Sequence, residues 1–134
     1  MSSQRNLETV KTIYDAFGRG DVDTILDSLT DDVDWSSEAA SRSASWYGRR
    51  SGKRGVAEYF AAIGKTIEVL DFTQLSFTAN DTEVMVLSQF RMRSRRNGKE
   101  SAMQLHHYWR FRDDKVEHWR GSEDSEQTVA MLKG

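Results

Sequence analysis

Residues 103 to 111, Met-Gln-Leu-His-His-Tyr-Trp-Arg-Phe, alternate in a way that fits a strand with one buried face. Side chains two apart share a face of a strand, so Met103, Leu105, His107, Trp109 and Phe111 line one surface. Gln104, His106, Tyr108, Arg110 and Arg112 line the other. His107 is therefore a lone imidazole in an apolar row. A polar group buried without a partner costs about 2–7 kcal/mol, depending on the reference state. His107 thus either bonds a buried carbonyl or Tyr14, or faces a cavity that holds ligand or water. In a cavity, with an ordinary pKa near 6.5, imidazole can serve at neutral pH as acid, base or neutral donor, and burial lowers that pKa by disfavouring the cation.

The chain has 134 residues, of which 30% are charged and 37% hydrophobic, with a formal net charge of −2. That size predicts a single domain over 1–134, and that charge gives no global field to attract nucleic acid. There are no cysteines, so disulfides, thiolate metal sites and cysteine nucleophiles are excluded. The N-terminal residues lack the apolar run of a secretory signal, and no stretch approaches a membrane span, which makes the cytoplasm the expected location.

Leu7, Val10, Ile13, Tyr14 and Phe17 repeat at helical steps and predict a first helix that Gly18 and Gly20 can stop. Asp21 caps a second helix bearing Val22, Ile25, Leu26 and Leu29, which Asp31 and Asp32 are expected to end. Val33-Asp34-Trp35 reads as a short extended piece, and Ser36 to Ser51 as a loop or lid. A third helix begins near Lys53, presents Val56, Tyr59, Phe60 and Ile63, and has Gly64 as its expected C-cap. Strands follow at Ile67 to Phe77, Glu83 to Arg93, Glu100 to Arg112 and Lys115 to Glu123, with turns at Asn80-Asp81, Asn97-Gly98 and Asp113-Asp114. Thr128, Val129, Met131 and Leu132 close the chain with an apolar segment. Helices first and antiparallel strands afterwards indicate an α+β domain, about three N-terminal helices on a curved antiparallel sheet.

The run Tyr14-Asp15-Ala16-Phe17-Gly18-Arg19-Gly20-Asp21, followed by Leu29-Thr30-Asp31-Asp32-Val33-Asp34-Trp35, resembles the opening of SnoaL-like members of the nuclear transport factor 2 superfamily. Gly52-Lys53-Arg54-Gly55-Val56 through Tyr59-Phe60, His107 through Val116, and Trp119-Arg120 with Asp124 resemble later segments in the right order. The resemblance implies a conical α+β barrel enclosing a hydrophobic cavity. Its members include ketosteroid isomerases, polyketide cyclases, epoxide hydrolases, dehydratases and proteins without a catalytic role, so fold alone does not supply the reaction.

On that resemblance His107 falls where relatives place a catalytic acid or histidine, and Asp124 where cyclase and epoxide-hydrolase relatives carry an aspartate. Together they would form an acid–base pair. Asp124 also has a plain alternative as N-cap of the closing helix. Trp119, Gly121 and Glu123 share one strand face and His118, Arg120, Ser122 and Asp124 the other, which leaves open whether Asp124 or Glu123 faces the cavity. The expected ligand contacts are Tyr14, Trp35, Tyr59, Val86, Ser88, Phe90, Trp109 and Trp119, each of which could equally be core. The position of the isomerase base falls on Ser37, which cannot be that base, with Glu38 and Asp34 nearby. The isomerase's first-helix tyrosine maps to Ile13, one step from Tyr14. No carboxylate shares the inward row of His107, which weighs against epoxide-hydrolase chemistry.

Gly64-Lys65-Thr66 is a helix end rather than a phosphate loop, since the glycine such a loop needs is Tyr59. Arg91, Arg93, Arg95, Arg96 and Lys99 read as a solvated or interfacial face rather than a nucleic-acid site. His106 and His107 point oppositely and have no third ligand, so no metal is expected. The expected activity is cofactor-free binding of a small hydrophobic, oxygenated molecule, with isomerisation, cyclisation or dehydration by proton transfer. The rival is a noncatalytic ligand-binding or accessory module. The mixed outer sheet face, with Leu87, Gln89, Arg91, His106, Tyr108 and Arg110, is expected to form a homodimer.

Overall fold

Helix α1 (Ser2–Gly18) turns Val10, Ile13, Tyr14 and Phe17 toward a sheet, as its three- and four-residue spacing requires. The computed structural model describes residues 2–134. Gly20 (φ +71°) reverses the chain into α2 (Val22–Asp27), whose N-cap Asp21 accepts from the Thr24 amide at 3.1 Å. The chain continues as β1 (Leu29–Glu38), β2 (Gly48–Ser51), α3 (Gly52–Thr66), β3 (Ile67–Ala79), β4 (Glu83–Ser94), β5 (Glu100–Arg112), β6 (Lys115–Ser122) and α4 (Ser125–Leu132). No described helix is long and apolar enough to cross a membrane.

The six strands form one sheet in the order β2-β1-β6-β5-β4-β3. Neighbours are antiparallel except β1 and β6, which run parallel. The expectation of a wholly antiparallel sheet is thus corrected, because β1 is not a short extended piece but a ten-residue strand. Asp31 and Asp32 lie in that strand rather than at the end of α2, and the expected lid narrows to residues 39–47. Helix α3 runs through Gly64 to Thr66, so Gly64 is not its cap. A fourth helix, α4, takes up the closing apolar residues, burying Thr128 and Met131.

Register shifts interrupt the ladders between Leu29 and Asp34 of β1, at Val69/Asp71 and Gln74/Ser76 of β3, and at Arg110/Phe111 of β5. Such irregularities bend strands, which lets the sheet curl around the helices. Asp113 and Asp114 both adopt positive φ (51° and 67°), the geometry that a two-residue hairpin with right-twisted strands demands.

Register also fixes the interior. Trp35, Trp119, Trp109 and Val84 are successive partners across β1, β6, β5 and β4. The next row reads Ser37, Gly121, His107 and Val86. A bulky row thus lies beside one that holds two small residues and the imidazole. On the opposite face, Arg93 bonds Glu68 and Glu100, and Arg110 bonds Glu117. Arg95 and Arg96 donate to backbone carbonyls of Gly64 and Leu132.

Candidate functional site

Gly121 beside His107 and Ser37 one strand further along the same row leave a cavity of about 70 Å³ between the inner sheet face and helices α1 and α3. A water needs about 10–15 Å³, so the space admits roughly five waters. Its walls are apolar and aromatic. Tyr14, Trp35, Tyr59, Phe90, Trp109 and Trp119 all line it, as expected from sequence. Trp35 and Trp119 stack at 4.3 Å between centroids, and Tyr59 meets each edge-on.

Two expected contacts do not reach the cavity. Val86 and Ser88 are buried (3% and 0% exposed) on the inner face of β4, but neither lines the space. Strand alternation gives a residue its face without saying what lies above it. Phe72 of β3 packs edge-on against Phe90 and Tyr14, and its ring forms the cavity wall there.

His107 answers both halves of the question its sequence posed. Its Nδ1 lies 2.7 Å from the Tyr14 hydroxyl, and its ring lines the cavity. The two rings are nearly parallel (7°) with Trp119 5.1 Å away on another side. Burial, and to a smaller degree the neighbouring His106, lowers the imidazole pKa from 6.5 to about 3, so the ring is neutral at physiological pH. Burial likewise raises the Tyr14 pKa well above its ordinary value. The phenol keeps its proton and has Nδ1 as its hydrogen-bonding partner. With Tyr14 donating to Nδ1 the imidazole proton resides on Nε2, and the cavity meets a neutral N–H donor; in the opposite tautomer Tyr14 accepts from Nδ1–H and donates to the nearby Ser88.

Gly121 permits this arrangement. A Cβ there would come within 2.4 Å of Trp119 Cη2 and 3.3 Å of His107 Cδ2. Only hydrogen lets the indole fold back beside the imidazole.

Asp124 is corrected. It is exposed and caps α4, accepting from the Gln127 amide at 3.2 Å, while its neighbour Glu123 lines the cavity. The helix start decides this: with Asp124 turned to the α4 amides, the inward alternation Trp119, Gly121, Glu123 continues without a bulge. Asp124→Ala is expected to cost about 1 kcal/mol of stability, in line with loss of a cap, and to leave ligand affinity unchanged. Urea unfolding together with a ligand titration checks this.

Glu123 accepts from three donors: Tyr47 Oη at 2.8 Å and Thr128 Oγ1 at 2.5 Å on Oε2, and Trp46 Nε1 at 3.3 Å on Oε1. It ties the 39–47 loop and α4 to the end of β6. Trp46, from that loop, also lines the cavity, and sequence offered no signal for it beyond its aromatic character. The carboxylates nearest Ser37 are engaged elsewhere. Asp34 bonds Arg49 and Arg120, which hold its pKa low against the opposing effect of burial, and Glu38 accepts from Ser36. Ser37 itself lines the cavity.

A family model for the SnoaL-like domain matches residues 10–119. No curated protein matches the chain. Among solved structures, an NTF2-like protein of unknown function from Burkholderia pseudomallei K96243 superposes with a TM-score of 0.90 at 22% identity, covering 97% of this chain and 98% of its own. TerC, co-crystallised with polyporic acid, gives 0.87 at 19% identity over 97% and 99% of the two chains. An LEH-like epoxide hydrolase from M. tuberculosis gives 0.76 at 14% identity over 98% and 92%. At these identities the likeness is one of fold.

Proposed function

The chain belongs to the SnoaL-like domain family, and from that premise we propose that it binds a small, largely apolar cyclic molecule through an oxygen atom that accepts from His107 Nε2–H. The observation that carries this reading is the Tyr14–His107 pair, which, with Tyr14 donating, presents a neutral donor at a largely apolar cavity wall. Apolar walls with few, well-placed polar groups suit small-molecule recognition. TerC's co-crystal with polyporic acid supports a ligand of this general kind in this fold.

Catalysis on such a ligand would be proton transfer. A carbonyl oxygen held by Nε2–H gains negative charge as a proton leaves the adjacent carbon, and a neutral donor stabilises that charge. The acceptor for the carbon-bound proton would be Glu123, the carboxylate among the cavity-lining residues. The occupation of both Glu123 oxygens by three protein donors favours the rival reading, a site that binds without turnover.

One pair of probes tests binding, and one isotope test separates the readings. α-Tetralone, a bicyclic ketone, should raise the melting temperature in proportion to occupancy, while tetralin, the same rings without oxygen, should not. Equal shifts for both, or none for either, would remove His107 from the argument. For a proton-transfer enzyme, deuterium enters the α-carbon of bound tetralone faster than in buffer. For a pure binder it does not.

A further inference from the structure

Glu123 is a partly buried carboxylate that lines the cavity and has no cation within ion-pair distance among the described residues. The residues lining the cavity include no lysine or arginine. Trp46, which donates to Glu123, lines the same space together with Tyr59 and Trp119. An uncompensated negative charge beside aromatic faces complements a cation, which the ring quadrupoles attract as well. An anionic ligand would instead meet a like charge with nothing to offset it. Three donors fill most of the acceptor capacity of Glu123, yet Oε1 carries a single bond from Trp46 and keeps a lone pair free.

Building on the ligand-binding reading above, we propose that the natural ligand is a cationic aromatic amine, its protonated nitrogen at Glu123 and its acceptor oxygen at His107. The register supports two such poles. His107 is paired with Gly121, and Glu123 follows Gly121 by two residues, just past the end of β6 and no more than about 7 Å of chain away. A single ring system with a short amine arm spans that interval.

Three indole probes of equal size decide it: tryptamine (cation), tryptophol (neutral) and indole-3-acetate (anion), titrated by calorimetry at pH 7. Tryptamine is expected to bind about tenfold tighter than tryptophol, with indole-3-acetate weakest. In Glu123→Gln, whose fold is checked by circular dichroism, tryptamine and tryptophol should become equal. Equal binding of these two to the wild type, or a preference for the acetate, would overturn the proposal without any variant. If all three indoles fail while α-tetralone still binds in a His107-dependent way, the amine proposal falls and the cavity reading survives. If tetralone fails too, both fall.

Discussion

His107→Phe should weaken α-tetralone binding roughly two- to tenfold, the range expected for one hydrogen bond between neutral groups. Phenylalanine keeps a flat ring slightly larger than the imidazole, so the cavity wall survives while the Nε2–H donor vanishes. The substitution also strips the Tyr14 hydroxyl of its 2.7 Å acceptor. A buried phenol without a partner costs about 1–3 kcal/mol of stability. Pairing the change with Tyr14→Phe removes the orphan and should restore most of that stability, with no recovery of affinity. The double variant therefore separates the two roles. Isothermal titration on both variants, with urea unfolding alongside, gives the comparison. Affinity that survives in His107→Phe would mean that the ligand's oxygen is held elsewhere.

Stability of the wild type should fall steadily as the pH drops from about 6.5 toward the His107 pKa of about 3. In that window the unfolded chain carries a proton on His107 that the folded chain cannot accept without placing a cation in the aromatic cavity. The unfolded state binds more protons, so stability rises with pH there and is fully present above 6.5. The slope approaches about 1.4 kcal/mol per pH unit, and between pH 6.5 and 4.5 the loss amounts to about 2–3 kcal/mol. His118 adds a smaller contribution of the same sign, since burial and the neighbouring Arg120 and Arg110 lower its pKa. Carboxylates such as Asp34, held low by Arg120 and Arg49, lose their stabilising effect at more acid pH. Urea midpoints measured from pH 4.5 to 7.5 should show the slope in wild type and a much flatter line in His107→Phe. An unchanged slope in the variant would assign the acid sensitivity to other groups.

Much of the inward face was written in local periodicity. Alternation in β5 placed Met103, Leu105, His107, Trp109 and Phe111 on the buried side, and β4 likewise buried Val84, Val86, Ser88 and Phe90. These assignments hold because each strand is long and its two faces differ strongly in polarity. Local pattern gave β1 less signal. Its Thr30, Asp31 and Asp32 favour turns and caps, and it becomes a strand only because β6 and β2 hydrogen-bond it from either side.

What the sequence determined by itself was the first three helices, the strands from β3 to β6, the faces they bury and the family, since each follows from residue type and spacing along the chain. Tertiary structure alone decided which buried residues border empty space. Ser88 and His107 both lie on inner sheet faces, yet only His107 reaches the cavity. The gap depends on cross-strand register, which sets Gly121 beside the imidazole and Ser37 beyond it, and on how Trp119 folds over the glycine. The choice between Asp124 and Glu123 was likewise settled by where α4 begins. An aspartate committed to the helix amides cannot also face inward, so the carboxylate at the cavity is Glu123.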